Sequence, residues 1–199
     1  LLASVSEEGL ADADLKLTGE TFSDSVGVSF AGGEDLSGDG IDDLIVGSPG
    51  AGDGGAVYVL FGPLLAGEWS VESAEVKLTG EIGGDSAGWS VATSPDVNGD
   101  GFTDLLVGSP GDDTSASGAG AVYVMFGPLS PGQTTLGTAN VKLTGEHESD
   151  NAGWSLAGVG DVNGDGLADI LAGAIYESST ANYAGATYLI LGSTSLTSG

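Results

Sequence analysis

Short apolar runs separated by Gly, Asp, Ser and Pro recur along the chain in three similar units. Several runs alternate apolar and polar residues, which is typical of β-strands, and no segment shows a convincing 3.6-residue helical period. Each unit predicts four strands, named D, A, B and C in chain order. They lie near 14–18, 75–79 and 140–144 (D), 26–32, 87–93 and 152–158 (A), 43–47, 104–108 and 169–173 (B), and 55–61, 120–126 and 185–191 (C). Repeated units of four short antiparallel strands predict an all-β fold made of β-propeller blades.

The repeat extends beyond the apolar runs. The motif Lys-Leu-Thr-Gly-Glu occupies residues 16–20, 77–81 and 142–146, and it contains every Lys of the chain. Gly-Ser-Pro follows the first two B strands, and Gly-Ala-Ile follows the third. The first unit is four residues shorter than the second, and the difference falls between strands B and C. Such a difference is typical of a surface loop, which tolerates insertions.

A nine-residue loop between strands A and B carries the clearest chemical signal. Oxygen-bearing side chains stand at loop positions 1, 3, 5 and 9, and Gly at position 6 permits a sharp bend. With the backbone carbonyl at position 7, this spacing suits a hard cation such as Ca²⁺. We therefore expect about three Ca²⁺ per chain, one in each loop. The predicted ligands are Asp35, Ser37, Asp39, Ile41 and Asp43; Asp96, Asn98, Asp100, Phe102 and Asp104; and Asp161, Asn163, Asp165, Leu167 and Asp169.

Composition narrows the classes of function. The chain has 29 acidic residues, 3 Lys and no Arg, with a net charge of −26, which argues against nucleic-acid binding. No apolar run is long enough to span a membrane, so membrane insertion is not expected. The chain has no Cys, so disulfides and thiolate chemistry are excluded. Oxygen-only calcium sites fill at the roughly millimolar calcium found outside cells, so we expect an extracellular or cell-surface location.

Several motifs together resemble a known family. They are Ala-Gly-Trp-Ser-Val-Ala at 87–92, the Asp-x-Asn-x-Asp-Gly-x-x-Asp loops, Gly-Ser-Pro after strand B and Gly-Ala-Val-Tyr-Val in strand C. Over residues 14–192 the chain is similar to FG-GAP repeats, the blades of the integrin α-subunit propeller and its bacterial relatives. The resemblance implies one Ca²⁺ at the A–B hairpin of each blade and ligand contact at the opposite end. Ser37 replaces Asn in the first loop, so we expect weaker binding there.

The repeat boundaries predict a single FG-GAP segment over residues 1–199. Blade 1 spans about 20–79, blade 2 about 80–144 and blade 3 about 145–199, with blade 3 completed by a D-type strand such as 13–18 from the same or another chain. Closed propellers have about four to eight blades, so three blades leave open edges. Three arrangements remain open: part of a larger ring, a six-blade ring of two chains, or a head-to-tail fibre.

Other residues are weaker candidates for function. Trp89 and Trp154 recur at one position of strand A, which favours packing between blades over a sugar platform. His147 is the only His and is expected to be exposed. The Glu and Asp that recur in the D–A connections are interpreted as turn residues. Candidates for partner contact are the non-repeating Asp112, Asp113, Tyr176, Glu177 and Tyr183.

Together these features predict an extracellular calcium-binding propeller module for adhesion or structural assembly, without enzymatic activity. The expected partners are other copies of the chain or further FG-GAP blades, and an extracellular protein or glycan. Two alternatives stay open: an accessory propeller domain of a larger secreted hydrolase or lyase, and a carbohydrate-binding module.

Overall fold

The protein is built from β-strands joined by loops, and the computed structural model describes residues 9–179 and 183–196. Residues 1–8, 180–182 and 197–199 of the predicted segment lie outside this range. The described chain has 14 strands and no α-helix, so the all-β prediction is confirmed. Its only helical elements are 3-10 turns at Leu10–Asp12, Val71–Ser73 and Leu136–Thr138. No helix of the described chain has the length and apolar character needed to cross a membrane.

Twelve strands occupy the four predicted positions of the units. Strand D is β1 (Leu15–Thr18), β6 (Val76–Thr79) and β11 (Val141–Thr144); strand A is β2 (Ser29–Glu34), β7 (Ser90–Ser94) and β12 (Ala152–Gly160); strand B is β3 (Asp43–Ser48), β8 (Asp104–Ser109) and β13 (Asp169–Ala174); strand C is β4 (Ala56–Leu60), β9 (Ala121–Met125) and β14 (Ala186–Ile190).

The first two A strands begin three residues later than predicted. Gly27 and Gly88 precede them with φ of 86° and 82°, a left-handed conformation that ordinary strand residues avoid. Each of these glycines still donates a backbone hydrogen bond to strand B, at 3.0 and 3.1 Å. In blade 3 the equivalent Gly153 (φ 82°) lies inside β12, where the ladder shifts register between Ala152 and Ser155. The predicted segments are therefore correct, but a glycine irregularity determines where the regular ladder starts.

Strands A, B and C of each unit form an antiparallel sheet, and strand D extends two of these sheets. The orders are β2-β3-β4-β6 in blade 1, β7-β8-β9-β11 in blade 2 and β12-β13-β14 in blade 3. Strands β4 and β9 are buried throughout, which explains their continuous apolar sequences, Ala-Val-Tyr-Val-Leu and Ala-Val-Tyr-Val-Met. Three such sheets in sequence are the blades of a propeller.

Two further strands were not predicted. β5 (Gly67–Ser70) and β10 (Gly132–Thr135) lie in the C–D connections and pair in parallel with β1 and β6. The prediction of four strands per unit is therefore incomplete. The C–D connection of each of the first two blades forms an extra strand, which pairs with the outer edge of the preceding D strand. Both segments begin with Gly, and β10 is exposed along its length, so they lack the apolar alternation that marks a strand in sequence.

The apolar core lies between blades. One cluster joins residues of blades 1 and 2, including Leu36, Val59 and Val91, and a second joins blades 2 and 3 through Val97, Val124 and Leu156. Leu36 and Val97 occupy position 2 of an A–B loop and are fully buried. Each of the first two A–B loops is thus held in place by the packing of its blade against the next one.

Candidate metal centre

The three A–B loops each leave the end of strand A and enter strand B at the last loop residue. That residue, Asp43, Asp104 or Asp169, is the first residue of β3, β8 or β13. The other acidic loop positions, 1 and 5, are only partly buried or exposed, whereas position 9 is buried in all three blades. The carboxylates at positions 1 and 5 are therefore accessible to a cation from solvent, whereas the carboxylate at position 9 is buried within the blade.

The carboxylate at position 1 organises the turn. In the second loop, Asp96 Oδ1 accepts hydrogen bonds from the amides of Gly99 (2.6 Å) and Asp100 (3.1 Å), and Oδ2 accepts one from Gly101 (2.9 Å). The first and third loops repeat this pattern around Asp35 and Asp161. The backbone amides, that of position 6 foremost, hold the pKa of Asp35 and of Asp161 below its ordinary value.

Positions 3 and 5 lie side by side. In the second loop, Asn98 Nδ2 donates to Asp100 Oδ2 at 2.8 Å, and the Asp100 amide donates to Asn98 Oδ1 at 3.0 Å. The third loop repeats both contacts between Asn163 and Asp165. Ser37, in the first loop, instead donates to Asp35 Oδ1 at 3.1 Å. The substitution noticed in the sequence therefore changes how the oxygens of the first loop are arranged.

Position 9 fastens the loop to the end of strand C. Asp104 accepts hydrogen bonds from the amides of Val97 at 2.8 Å and of Gly127 at 3.1 Å, and Asp43 and Asp169 make equivalent contacts in their blades. Burial raises the pKa of Asp104 to about 6, and the nearby Asp100 and Asp96 add to this. Sequence reasoning identified this residue only as a ligand and missed its contact with strand C, which depends on a residue 23 positions away.

The backbone completes the oxygen set. Glycines at positions 4 and 6 have φ between 81° and 91° in all three loops, which turns successive amides toward the position 1 carboxylate. Within the described residues, no hydrogen bond reaches the position 7 carbonyls of Ile41, Phe102 and Leu167. Each loop thus combines three carboxylates, one neutral side-chain oxygen and a free carbonyl, a donor set that fits Ca²⁺ better than a softer metal.

A second acidic cluster lies at the opposite end of blade 3. In the described part of the chain, His147, Asp150 and Glu177 are the one group of three or more such side chains whose ligand atoms all lie within 4.8 Å of one another. The three carboxylates of an A–B loop do not all lie this close to one another. His147 itself is exposed, as expected, and its Nδ1 lies 3.6 Å from Asp150 Oδ2.

The residues expected at partner contacts divide into two groups. Tyr176 and Tyr183 are exposed and continue a row of rings that starts with Trp89 and Trp154, whose centroids are 4.6 Å apart across two blades. The expectation for Asp112 is wrong: it is buried and bonded to Lys142 and Tyr123 within blade 2. Glu177 is buried as well.

The recurring D–A aspartates are turn residues, as interpreted from the sequence, whereas Glu20 and Glu81 form ion pairs with Lys77 and Lys142 instead. Asp24, Asp85 and Asp150 are buried and accept hydrogen bonds from backbone amides three or four residues before them. Thr21 lowers the pKa of Asp24 through hydrogen bonds from its hydroxyl and its amide, which keeps this buried carboxylate ionised.

Comparison with known proteins gives a consistent result. The family model described as FG-GAP repeat matches residues 26–60, 87–125 and 152–190. The chain is 34% identical to integrin alpha-PS2 of Drosophila melanogaster over 166 residues, 80% of this chain and 11% of the relative. It is 35% identical to integrin alpha-7 of Rattus norvegicus over 178 residues, 83% of this chain and 14% of the relative.

An enzyme is among the relatives. Phosphatidylinositol-glycan-specific phospholipase D of Bos taurus is 34% identical over 148 residues, 70% of this chain and 17% of that protein. The chain thus spans less than a fifth of the length of each of these three relatives. Three matched repeats and three blades lead to one conclusion: the chain belongs to the FG-GAP repeat family and is an integrin-like β-propeller segment.

Proposed function

We propose that this chain is an extracellular calcium-binding propeller module that acts in adhesion or structural assembly and performs no catalysis of its own. The observation that carries the proposal is the threefold repetition of one oxygen-rich loop at the same place in each FG-GAP blade. Its ligands would be the side chains at positions 1, 3, 5 and 9 and the carbonyl at position 7, with one Ca²⁺ in each loop.

Calcium would act on stability first. Each loop joins strand A to strand B, and its position 9 carboxylate also holds the end of strand C. A cation bound there would neutralise part of the acidic charge, and three Ca²⁺ would bring the net charge from −26 to about −20. A ligand that binds only the folded state raises its stability, so the blades should be more stable with calcium.

An extracellular role is supported by the weak, oxygen-only character of the sites, which fill at the calcium levels found outside cells. The similarity to integrin α chains supports adhesion, and the packing of each blade against the next supports assembly with further blades.

Thermal unfolding in millimolar calcium and in chelator tests the proposal. The parent should melt at a higher temperature with Ca²⁺ than with chelator, and Mg²⁺ should have a smaller effect because it prefers smaller octahedral sites. Asp100→Ala should lose part of the calcium-dependent increase. Asp42→Ala is the matched control, because it also removes one exposed acid from an A–B loop, at position 8 where no ligand is assigned. A parent with the same melting temperature in calcium and chelator would refute calcium binding.

The similarity to phosphatidylinositol-glycan-specific phospholipase D favours a second candidate, an accessory propeller domain of a larger secreted enzyme. The two candidates differ in the surface that should retain the protein. Calcium-dependent retention on immobilised extracellular matrix proteins would support adhesion. Retention on vesicles that carry phosphatidylinositol-glycan, but not on plain phospholipid vesicles, would support the accessory domain.

A further inference from the structure

Two of the three A–B loops contain an asparagine followed directly by a glycine. Asn98 and Asn163 occupy loop position 3, where the first loop has Ser37. An asparagine loses its side-chain amide when the backbone nitrogen of the next residue attacks its Cγ, and glycine permits this close approach because it has no Cβ. A reactive amide therefore stands at an assigned calcium ligand in blades 2 and 3, and an unreactive hydroxyl in blade 1.

Both asparagines lie where solvent reaches them. The Asn98 side chain is partly buried, Asn163 is exposed, and the glycines that follow them, Gly99 and Gly164, are exposed as well. Both glycines have a left-handed backbone, with φ of 84° and 83°. Water, the one co-reactant that deamidation needs, therefore has access to both loops.

The reaction at Asn98 proceeds in two balanced steps. The backbone nitrogen of Gly99 forms a bond to Asn98 Cγ, and the Cγ–Nδ2 bond breaks. The amide proton of Gly99 passes through solvent to the leaving nitrogen, which departs as ammonia and leaves a five-membered succinimide ring. Water then opens the ring at the side-chain carbonyl, which gives aspartate, or at the backbone carbonyl, which gives isoaspartate with the main chain running through Cγ.

In the folded loop, hydrogen bonds engage both reacting groups. Asn98 Nδ2 donates to Asp100 Oδ2 at 2.8 Å, and Asn98 Oδ1 accepts from the Asp100 amide at 3.0 Å. The Gly99 amide donates to Asp96 Oδ1 at 2.6 Å. The loop of Asn163 repeats all three contacts. Ring closure has to break these bonds, because it consumes the Gly99 amide hydrogen and turns the Asn98 side chain toward the backbone.

The acceptors that restrain Asn98 are themselves negatively charged. Asp96 and Asp100 hold the reacting groups, and Asp104 is the third carboxylate of the same loop. Without a cation these carboxylates repel one another, which favours opening of the loop. A bound Ca²⁺ would take Asn98 Oδ1 together with Asp96 and Asp100 as ligands, so it would hold the side chain in its closed position.

We propose that Asn98 and Asn163 are sites of spontaneous deamidation whose rate is set by calcium, so that the loops of blades 2 and 3 are modified mainly while they lack the ion. The inference rests on the proposed calcium-binding function. Ring closure takes place from the open loop, which does not bind the ion, so calcium lowers the rate by the factor that it stabilises the closed loop. With a Kd of about 10⁻⁴ M, as in extracellular modules, millimolar calcium slows the reaction about tenfold.

The two products should differ in their effect on the site. Aspartate at position 3 fits, since calcium loops that begin with this spacing accept Asp or Asn there. Isoaspartate adds one main-chain carbon between positions 3 and 4, which displaces Gly99, Asp100 and Gly101 from Asp96, whose carboxylate accepts from all three amides. Isoaspartate should therefore lower calcium binding in that loop, whereas Asn98→Asp should retain it.

Peptide mass spectrometry measures the conversion in protein incubated at one mildly alkaline pH, with millimolar calcium or with chelator. Loss of the amide changes the peptide mass, whereas isomerisation of the Asp-Gly pair later in each loop does not. Asn98 and Asn163 should convert about tenfold faster in chelator. Asn140 and Asn151 precede Val and Ala, so they should convert slowly in both solutions. Asn98→Ser, which copies the first loop, should abolish the change at that position.

A substitution in one loop separates local opening from unfolding of the whole chain. In calcium, Asp100→Ala should speed conversion of Asn98 by about tenfold and leave Asn163 at the parental rate, because only the second loop loses a ligand. Asp42→Ala, at the unassigned position 8 of the first loop, should change neither rate. Equal acceleration of both asparagines by Asp100→Ala would mean that general unfolding exposes them, and it would overturn the proposal.

The remaining outcomes distinguish this inference from the proposed function. Conversion of Asn98 and Asn163 in chelator no faster than that of Asn140 would overturn the inference, while a calcium-dependent melting temperature would leave the proposed function intact. Rapid conversion that calcium does not slow would also overturn the inference. If calcium then leaves the melting temperature unchanged as well, the proposed function fails with it.

Discussion

Tyr58 and Tyr123 occupy equivalent positions in β4 and β9, and both side chains are fully buried, but only one hydroxyl is hydrogen-bonded. Tyr123 Oη donates toward Glu81 and Asp112, each at 2.8 Å. The shorter B–C loop of blade 1 places Ala51 where blade 2 has Asp112, and Tyr58 Oη has no hydrogen-bond partner among the described residues. Burial raises the pKa of Tyr58 to about 12, so its hydroxyl remains neutral.

Replacement of each tyrosine by phenylalanine should therefore change stability in opposite directions. Hydrogen bonds to charged groups contribute about 1.5–3 kcal/mol each, and the single hydroxyl of Tyr123 is shared by two carboxylates, so Tyr123→Phe should cost about 2–4 kcal/mol. A buried polar group without a partner costs about 1–3 kcal/mol, so Tyr58→Phe should be neutral or stabilising by about 1 kcal/mol. Both changes keep the aromatic ring, so loss of packing does not obscure the comparison.

Urea unfolding in millimolar calcium measures both variants against the parent. The denaturant midpoint should fall for Tyr123→Phe and should rise or stay unchanged for Tyr58→Phe, with the denaturant slope unaltered. In thermal unfolding, each kcal/mol corresponds to about 2–4 °C for a chain of this size. Equal destabilisation by the two changes would refute the reasoning, since it would mean that the hydroxyl contacts do not differ between blades.

Three further predictions follow from burial, charge and close backbone contact. Lys142→Met should cost about 3 kcal/mol or more because it leaves buried Asp112 without its cation, whereas Lys16→Met, measured on dilute protein, should stay within about 0.5 kcal/mol. Gly108→Ala should destabilise by several kcal/mol, since its Cβ would lie 2.0 Å from the Gly153 carbonyl of the next blade; Gly83→Ala, with no atom closer than 3.5 Å, is the control for the same urea assay. In chelator, the folded state keeps the proton of Asp104 up to about pH 6, whereas the unfolded state keeps it only up to about pH 4. The free energy of unfolding should therefore rise by about 2–3 kcal/mol as the pH falls from 6 to 4. Asp104→Asn should remove this rise, which melting temperatures measured at several pH values would show.

The residues that sequence reasoning placed best are those whose role is local. Strands B and C were predicted because their apolar runs are buried in any blade, and the A–B loop because its Asp and Gly spacing determines the turn by itself. The hydrogen bonds around Asp96 join residues at most five positions apart.

What the sequence did not reveal depends on neighbouring blades. Strands β5 and β10 form only because the D strand of the preceding blade offers a free edge, and their own residues carry little strand signal. Asp112 was expected to face a partner because it does not recur in blade 1, yet it is buried with a lysine 30 residues later in the chain. The longer B–C loop of blade 2 and the regular spacing of the three lysines were the available signals for this contact.

The number of Ca²⁺ bound per chain tests the central claim most directly. Equilibrium dialysis in millimolar calcium, at about 0.15 M salt to suppress weak association with the acidic surface, should give about three ions per chain, with the site containing Ser37 the last to fill. Asp100→Ala should lower the number to about two, and Asp42→Ala should leave it at three. No calcium bound above the level of an unfolded control would contradict the account.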